Sequence, residues 1–107
     1  MSAAKIRELN DRFRTTMTGG RVMMTAGVDA LPSDVKAMVI RRVATFSDFN
    51  ADNDPHKEHD FGSFEFAGRK FFWKIDAYDA NMEFGSEDPA DPSKTTRVLT
   101  IMLASEY

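Results

Sequence analysis

The chain has 107 residues, 42% hydrophobic and 29% charged, with a formal net charge of −3 and no cysteine. That length suits a single domain spanning 1–107 and leaves too little chain for two cores, and the composition is that of a folded protein and not of a disordered tail. Disulfides, thiolate metal sites and thiol nucleophiles are excluded, and no apolar run nears the ~18 residues of a membrane span.

The first segment reads as a helix, because Ile6, Leu9, Phe13 and Met17 fall on one stripe of a 3.6-residue period. Ser2 is the expected N-cap, and Thr18-Gly19-Gly20 is the expected stop. Charge begins at Lys5, so no secretory leader is expected and the protein reads as cytoplasmic. Arg21 to Ala26, with β-branched Val22 and Thr25, reads as a strand. A second helix follows, with Pro32 in its first turn, Asp34 near its positive end and Arg41 and Arg42 in its last turns. Val35, Met38, Val39, Val43 and Phe46 form its apolar stripe.

Ser47 to Asp60 is polar, rich in Asn, Asp and Pro, and without period. A loop of that length in a small domain is functional or disordered more often than not. Phe61–Phe66 and Arg69–Tyr78 flank Ala67-Gly68 as a hairpin, with Glu65 beside Lys70. In its second arm Phe71, Trp73, Ile75 and Ala77 share one face, while Lys70, Phe72, Lys74, Asp76 and Tyr78 share the other. Gly85 to Lys94 is a second polar loop, and Thr96–Leu103 reads as a strand, with a short helix as the alternative. The order α-β-α-β-β-β predicts an α+β domain of two layers, two amphipathic helices on an antiparallel sheet of about four strands. Most of the aromatics lie between Phe46 and Phe84, and their expected use is to fill the core of the hairpin.

Three chemistries suggest themselves. His56 and His59, among the carboxylates of the long loop, are weak candidate metal ligands, without a third ligand at a diagnostic spacing. Asp48, Asn50 and Asp52 match the first positions of a calcium loop, but Asn53 stands where the turn needs glycine and His59 where a bidentate Glu belongs. No metal or other cofactor is therefore expected. Folding the hairpin carries Asp76 and Tyr78 toward the end where His59 and Asp60 lie. His59, Asp60, Lys74, Asp76 and Tyr78 then form one candidate binding surface, read alternatively as acid–base machinery or as a network pinning the long loop. The third is electrostatic: residues 1–45 carry eight Lys/Arg against four Asp/Glu, and residues 46–107 carry six against thirteen. Basic helices suit nucleic acid, and an acidic half suits a basic partner.

Several runs are specific enough to compare with a family: Arg7-Glu-Leu-Asn-Asp-Arg-Phe-Arg14, Thr18-Gly-Gly-Arg-Val-Met23, Glu58-His-Asp-Phe-Gly62, Phe72-Trp-Lys-Ile-Asp76, Gly85-Ser-Glu-Asp-Pro-Ala-Asp-Pro92 and Thr96 to Tyr107. Together they resemble an uncharacterised family of small alphaproteobacterial proteins of unknown function, often encoded among plasmid and integrative-element genes. The resemblance covers nearly the whole chain. It implies an accessory protein of mobile DNA and transfers no catalytic role. The family's Trp-Lys-Ile-Asp-Tyr-Tyr-Asp signature has Ala77 here in place of its first Tyr. The resulting expectation is a small interaction module that binds a protein or a nucleic acid, not a membrane. A homodimer is a further expectation, with the final strand offering an open edge.

Overall fold

The computed structural model describes residues 2–107. Helix α1 (Ala3–Thr16) starts where the Ser2 hydroxyl accepts from the Lys5 amide at 3.2 Å. It ends two residues earlier than the glycines suggest, because Met17 itself takes the left-handed conformation (φ 58°) and its amide closes on the Phe13 carbonyl. Its buried face is Ile6, Asn10, Phe13 and Arg14, so two polar side chains enter the interior beside the apolar stripe. Strand β1 (Arg21–Met24) is shorter than expected, since Ala26 already belongs to a single helical turn, α2 (Ala26–Asp29).

Pro32 is the N-cap of α3 (Ser33–Ala44) and does not lie within its first turn. Val39 and Val43 are fully buried, and Val35 and Phe46 pack against them. Met38, expected on the same stripe, is 51% exposed. The core takes the i, i+4, i+8 row of Val35, Val39 and Val43, and Met38 lies to one side of it.

The hairpin of β2 (Phe61–Phe66) and β3 (Arg69–Tyr78) has the expected register, with Glu65 opposite Lys70. Ala67 (φ 54°) and Gly68 (φ 76°) make a two-residue turn with both centres left-handed, the geometry that matches strand twist. Thr96–Leu103 is a strand, β4, and the short-helix alternative is not adopted. The sheet order is β1-β4-β3-β2. β4 pairs antiparallel with β3 but parallel with β1, so the sheet is mixed and not purely antiparallel. The two-layer α+β architecture stands. The expected open edge on the final strand does not, because β4 lies inside the sheet and the edges are β1 and β2. Val98, Leu99, Ile101 and Met102 are buried, in keeping with a strand that has a neighbour on each edge.

One layer is helical. Phe13, Val28, Val39 and Val43 pack against Phe64, Phe71, Trp73, Ile75, Leu99 and Ile101 in a single core. Among the described residues no helix is long and apolar enough to cross a membrane.

The C-terminus is tied back by one carboxylate. Glu106 accepts from the Thr25 hydroxyl at 2.6 Å, the Gly27 amide at 2.8 Å and the Leu103 amide at 3.0 Å. The Thr25 hydroxyl first, then the Gly27 and Leu103 amides, hold its carboxyl below the usual glutamate range. A depressed folded-state value stabilises the fold above the unfolded value and loses that contribution as pH falls through the folded one. Glu106→Gln, which keeps a single acceptor oxygen, should therefore melt below the native protein at neutral pH. The gap should close on acidification, as read from melting curves over a pH series.

Candidate functional site

Strand alternation sends two sets of side chains to opposite sides of the sheet, and only one set meets the helices. The other set comprises Arg21 and Met23 of β1, Val98 and Thr100 of β4, Lys74, Asp76 and Tyr78 of β3, and Phe61 of β2. Toward β1 this open face carries a groove of about 490 Å³ lined by Arg21, Met23, Met24, Thr25, Tyr78, Met82, Val98 and Thr100. Among the described residues Arg21 is its only charged lining residue, and Met23 is 54% exposed. Beyond the groove, Lys74 Nζ lies 3.0 Å from Asp76 Oδ2, an ion pair that raises the lysine above its ordinary value. At the β2 side Phe61, Phe72 and Tyr107 form an aromatic cluster with centroids 5.4 to 6.4 Å apart.

His59 points into the helical layer. Its ring stacks on Phe49 with centroids 3.7 Å apart, and its Nδ1 meets Asp11 Oδ1 at 2.8 Å. Its Nε2 lies 3.5 Å from Oδ2 of Asp54, whose carboxylate also accepts the Glu58 and His59 amides. Asp11 in turn holds Arg14 at 3.1 Å. The Arg14 Nη1 donates to the carbonyls of Val43, Ala44 and Phe46, closing the C-terminal end of α3. Among the described residues its Nε has no hydrogen-bond acceptor, and the guanidinium lies over the faces of Trp73 and Phe49, 5.0 and 5.4 Å from its carbon. Asn10 and Arg7 donate to the carbonyls of Glu58 and Lys57, each at 3.0 Å. These clasps hold Lys57 (φ 57°) and His59 (φ 53°) in left-handed conformations that non-glycine residues adopt at a cost. A cavity of about 350 Å³ opens beside them, lined by Arg7, Phe49, Asp54, Pro55, Lys57 and His59 among others.

The candidate surface read from sequence is thus divided. Lys74, Asp76 and Tyr78 share the open face, and His59 lies across the sheet among the helices. Asp60 stands between them at the head of β2, where its carbonyl accepts the Ile75 amide at 2.8 Å. Burial pushes the Asp60 carboxyl up, its own backbone amide opposes this, and the Asp54 and Asp76 carboxylates add to it.

His56 is exposed, and among the described residues no three His, Asp or Glu side chains converge to hold a metal ion. In the calcium-like segment the Asn50 side chain accepts the Asp52 and Asn53 amides, which makes it a turn former. The basic half is partly consumed by local contacts. Lys5 and Arg12 share Glu8, Lys36 meets Asp29, and Arg14 is buried. Arg97 is also buried, held by the Asn10 side chain and the Pro89 carbonyl with no carboxylate in reach among the described residues, and burial lowers its pKa.

Sequence reasoning did not single out Asp11, Arg14 and Phe49 around His59, or Met23, Met82 and Thr100 in the groove. Residues 24–106 match the family described as protein of unknown function (DUF3768). No curated protein and no solved structure matches the chain.

Proposed function

The chain belongs to the DUF3768 family, whose function is unknown, and from that premise we propose that it is a small interaction module that receives a protein partner on the open face of its sheet. The observation that carries this reading is the groove toward β1, where exposed Met23 stands beside Met24, Tyr78, Met82 and Thr100 with buried Val98 as its floor. A contiguous apolar surface left to solvent marks an interaction site more often than chance exposure does. Methionines suit such a role, because their unbranched, polarisable side chains adapt to a partner's shape. Lys74, Asp76 and Tyr78 continue the face and supply directional contacts at its rim. The His59 and Asp60 end serves this face indirectly, by fixing the long loop and the head of β2.

Met23→Lys places a charge in the groove at a position already exposed, so melting should not change. Met38→Lys, on an exposed part of the helical layer, is the control. A partner captured by the native protein from host extract should bind the Met23 variant about tenfold more weakly or worse, equivalent to ~1.4 kcal/mol, and the Met38 variant unchanged. Equal binding by the Met23 variant, or retention on DNA with steep salt dependence in place of a protein partner, would contradict the reading.

A further inference from the structure

We propose that the β2 edge pairs with the β2 edge of a second copy of this chain, joining two four-stranded sheets into one continuous sheet. In an antiparallel ladder, residues that exchange hydrogen bonds with the neighbouring strand alternate with residues whose amide and carbonyl point away. The Ile75 amide bonds to the Asp60 carbonyl at 2.8 Å, so Gly62, Phe64 and Phe66 exchange bonds with β3. Phe61, Ser63 and Glu65 therefore direct their backbone groups outward from the edge. Among the described residues none of these three makes a backbone hydrogen bond outside the β2–β3 ladder.

Edge strands in monomers are protected by proline, lysine, a bulge or a covering segment. Phe-Gly-Ser-Phe-Glu-Phe has no proline and no lysine, and its six residues pair with β3 without a bulge. The segment Thr45–Asp48 runs past the edge but leaves a groove of about 350 Å³ between itself and Ser63, Phe64 and Glu65.

Charge selects a second copy as the occupant. Arg42 lies over Phe64 and Phe66, with its guanidinium carbon 5.0 and 5.8 Å from the ring centroids. Phe46 reaches Gly62, where an added Cβ would stand 2.9 Å from its ring. The chain from Arg42 to Asp48 thus follows the edge from its Phe66 end toward its Gly62 end. Arg42 and Asp48 are exposed, and among the described residues neither forms an ion pair. A two-fold axis through Ser63 reverses one copy against the other. It sets Phe61 opposite the partner's Glu65, and Arg42 beside the partner's Asp48, twice. A cation and an anion at opposite ends of one edge are self-complementary only in that arrangement.

Sedimentation analysis over a dilution series tests this. The native protein should be a dimer that dissociates on dilution. Ser63→Pro removes an outward amide, which an edge strand tolerates, and should give a monomer with melting retained. Arg42→Asp and Asp48→Arg should each weaken the dimer about tenfold, and the two together should restore it. A native protein that stays monomeric up to ~1 mM would overturn the proposal. So would a dimer unaffected by a folded Ser63→Pro, or a double variant no tighter than the singles.

Discussion

Replacing Arg14 with alanine should cost about 1–3 kcal/mol of folding stability or more, the range for leaving buried carbonyls without a hydrogen-bond donor. The side chain is 4% exposed and closes three separate structures at once. It donates to the Asp11 carboxylate, caps the last carbonyls of α3, and lies against the rings of Phe49 and Trp73. Alanine removes the side-chain donor from three carbonyls, of which Val43 keeps the Phe46 amide at 3.3 Å, and leaves Asp11 to His59 alone. Chemical denaturation reads the loss directly. Arg14→Lys should recover only part of it, because an ammonium cannot match a planar guanidinium that bonds and stacks together.

The second large effect is expected at Gly62. A Cβ there would stand 2.4 Å from Trp73 Nε1, 2.7 Å from its Cε2 and 2.9 Å from the Phe46 ring. Trp73 is fully buried and contacts Phe46 edge-on with centroids 5.5 Å apart, so neither ring can move without disturbing the other. Gly62→Ala should therefore destabilise by about 1–3 kcal/mol, as overpacking of a filled core does. It should also change the tryptophan fluorescence of the folded protein. The glycine is there to let the indole reach the backbone of β2.

These two positions mark the limit of what the sequence discloses. The helices and the hairpin were legible because apolar spacing reports burial directly, as Ile6 and Phe13, or Phe71, Trp73 and Ile75, illustrate. Asn10 and Arg14 were not, because hydrophobic periodicity gives no credit to a polar side chain that is buried and satisfied. The sheet order turned on β4. Its mixture of Val98, Leu99, Ile101 and Met102 on both faces is the mark of an interior strand, but its parallel partner β1 lies more than seventy residues away. No local pattern reports such pairing. The candidate surface was half legible for the same reason. Lys74, Asp76 and Tyr78 share a face by alternation alone, whereas His59 left that group for Asp11, 48 positions earlier in the chain.

The contrast between the two sides of the sheet is physical. On the helical side Arg14, Asp11, His59 and Asp54 bond to one another and to nearby backbone, and Asn10 and Arg97 form a second buried pair, so most of the polar capacity there is used internally. On the open side the groove exposes Met23 and has one cation, Arg21, at its border. A rigid scaffold with one unspent face is what a binding module needs.

The most direct measurement is backbone amide chemical-shift mapping of the labelled protein as the partner captured from host extract is added. The account predicts perturbations at Arg21, Met23, Tyr78, Val98 and Thr100, with Arg7, Phe49 and His59 unmoved. Perturbations centred on Arg7, Phe49 and His59, with β1 and β4 silent, would contradict it.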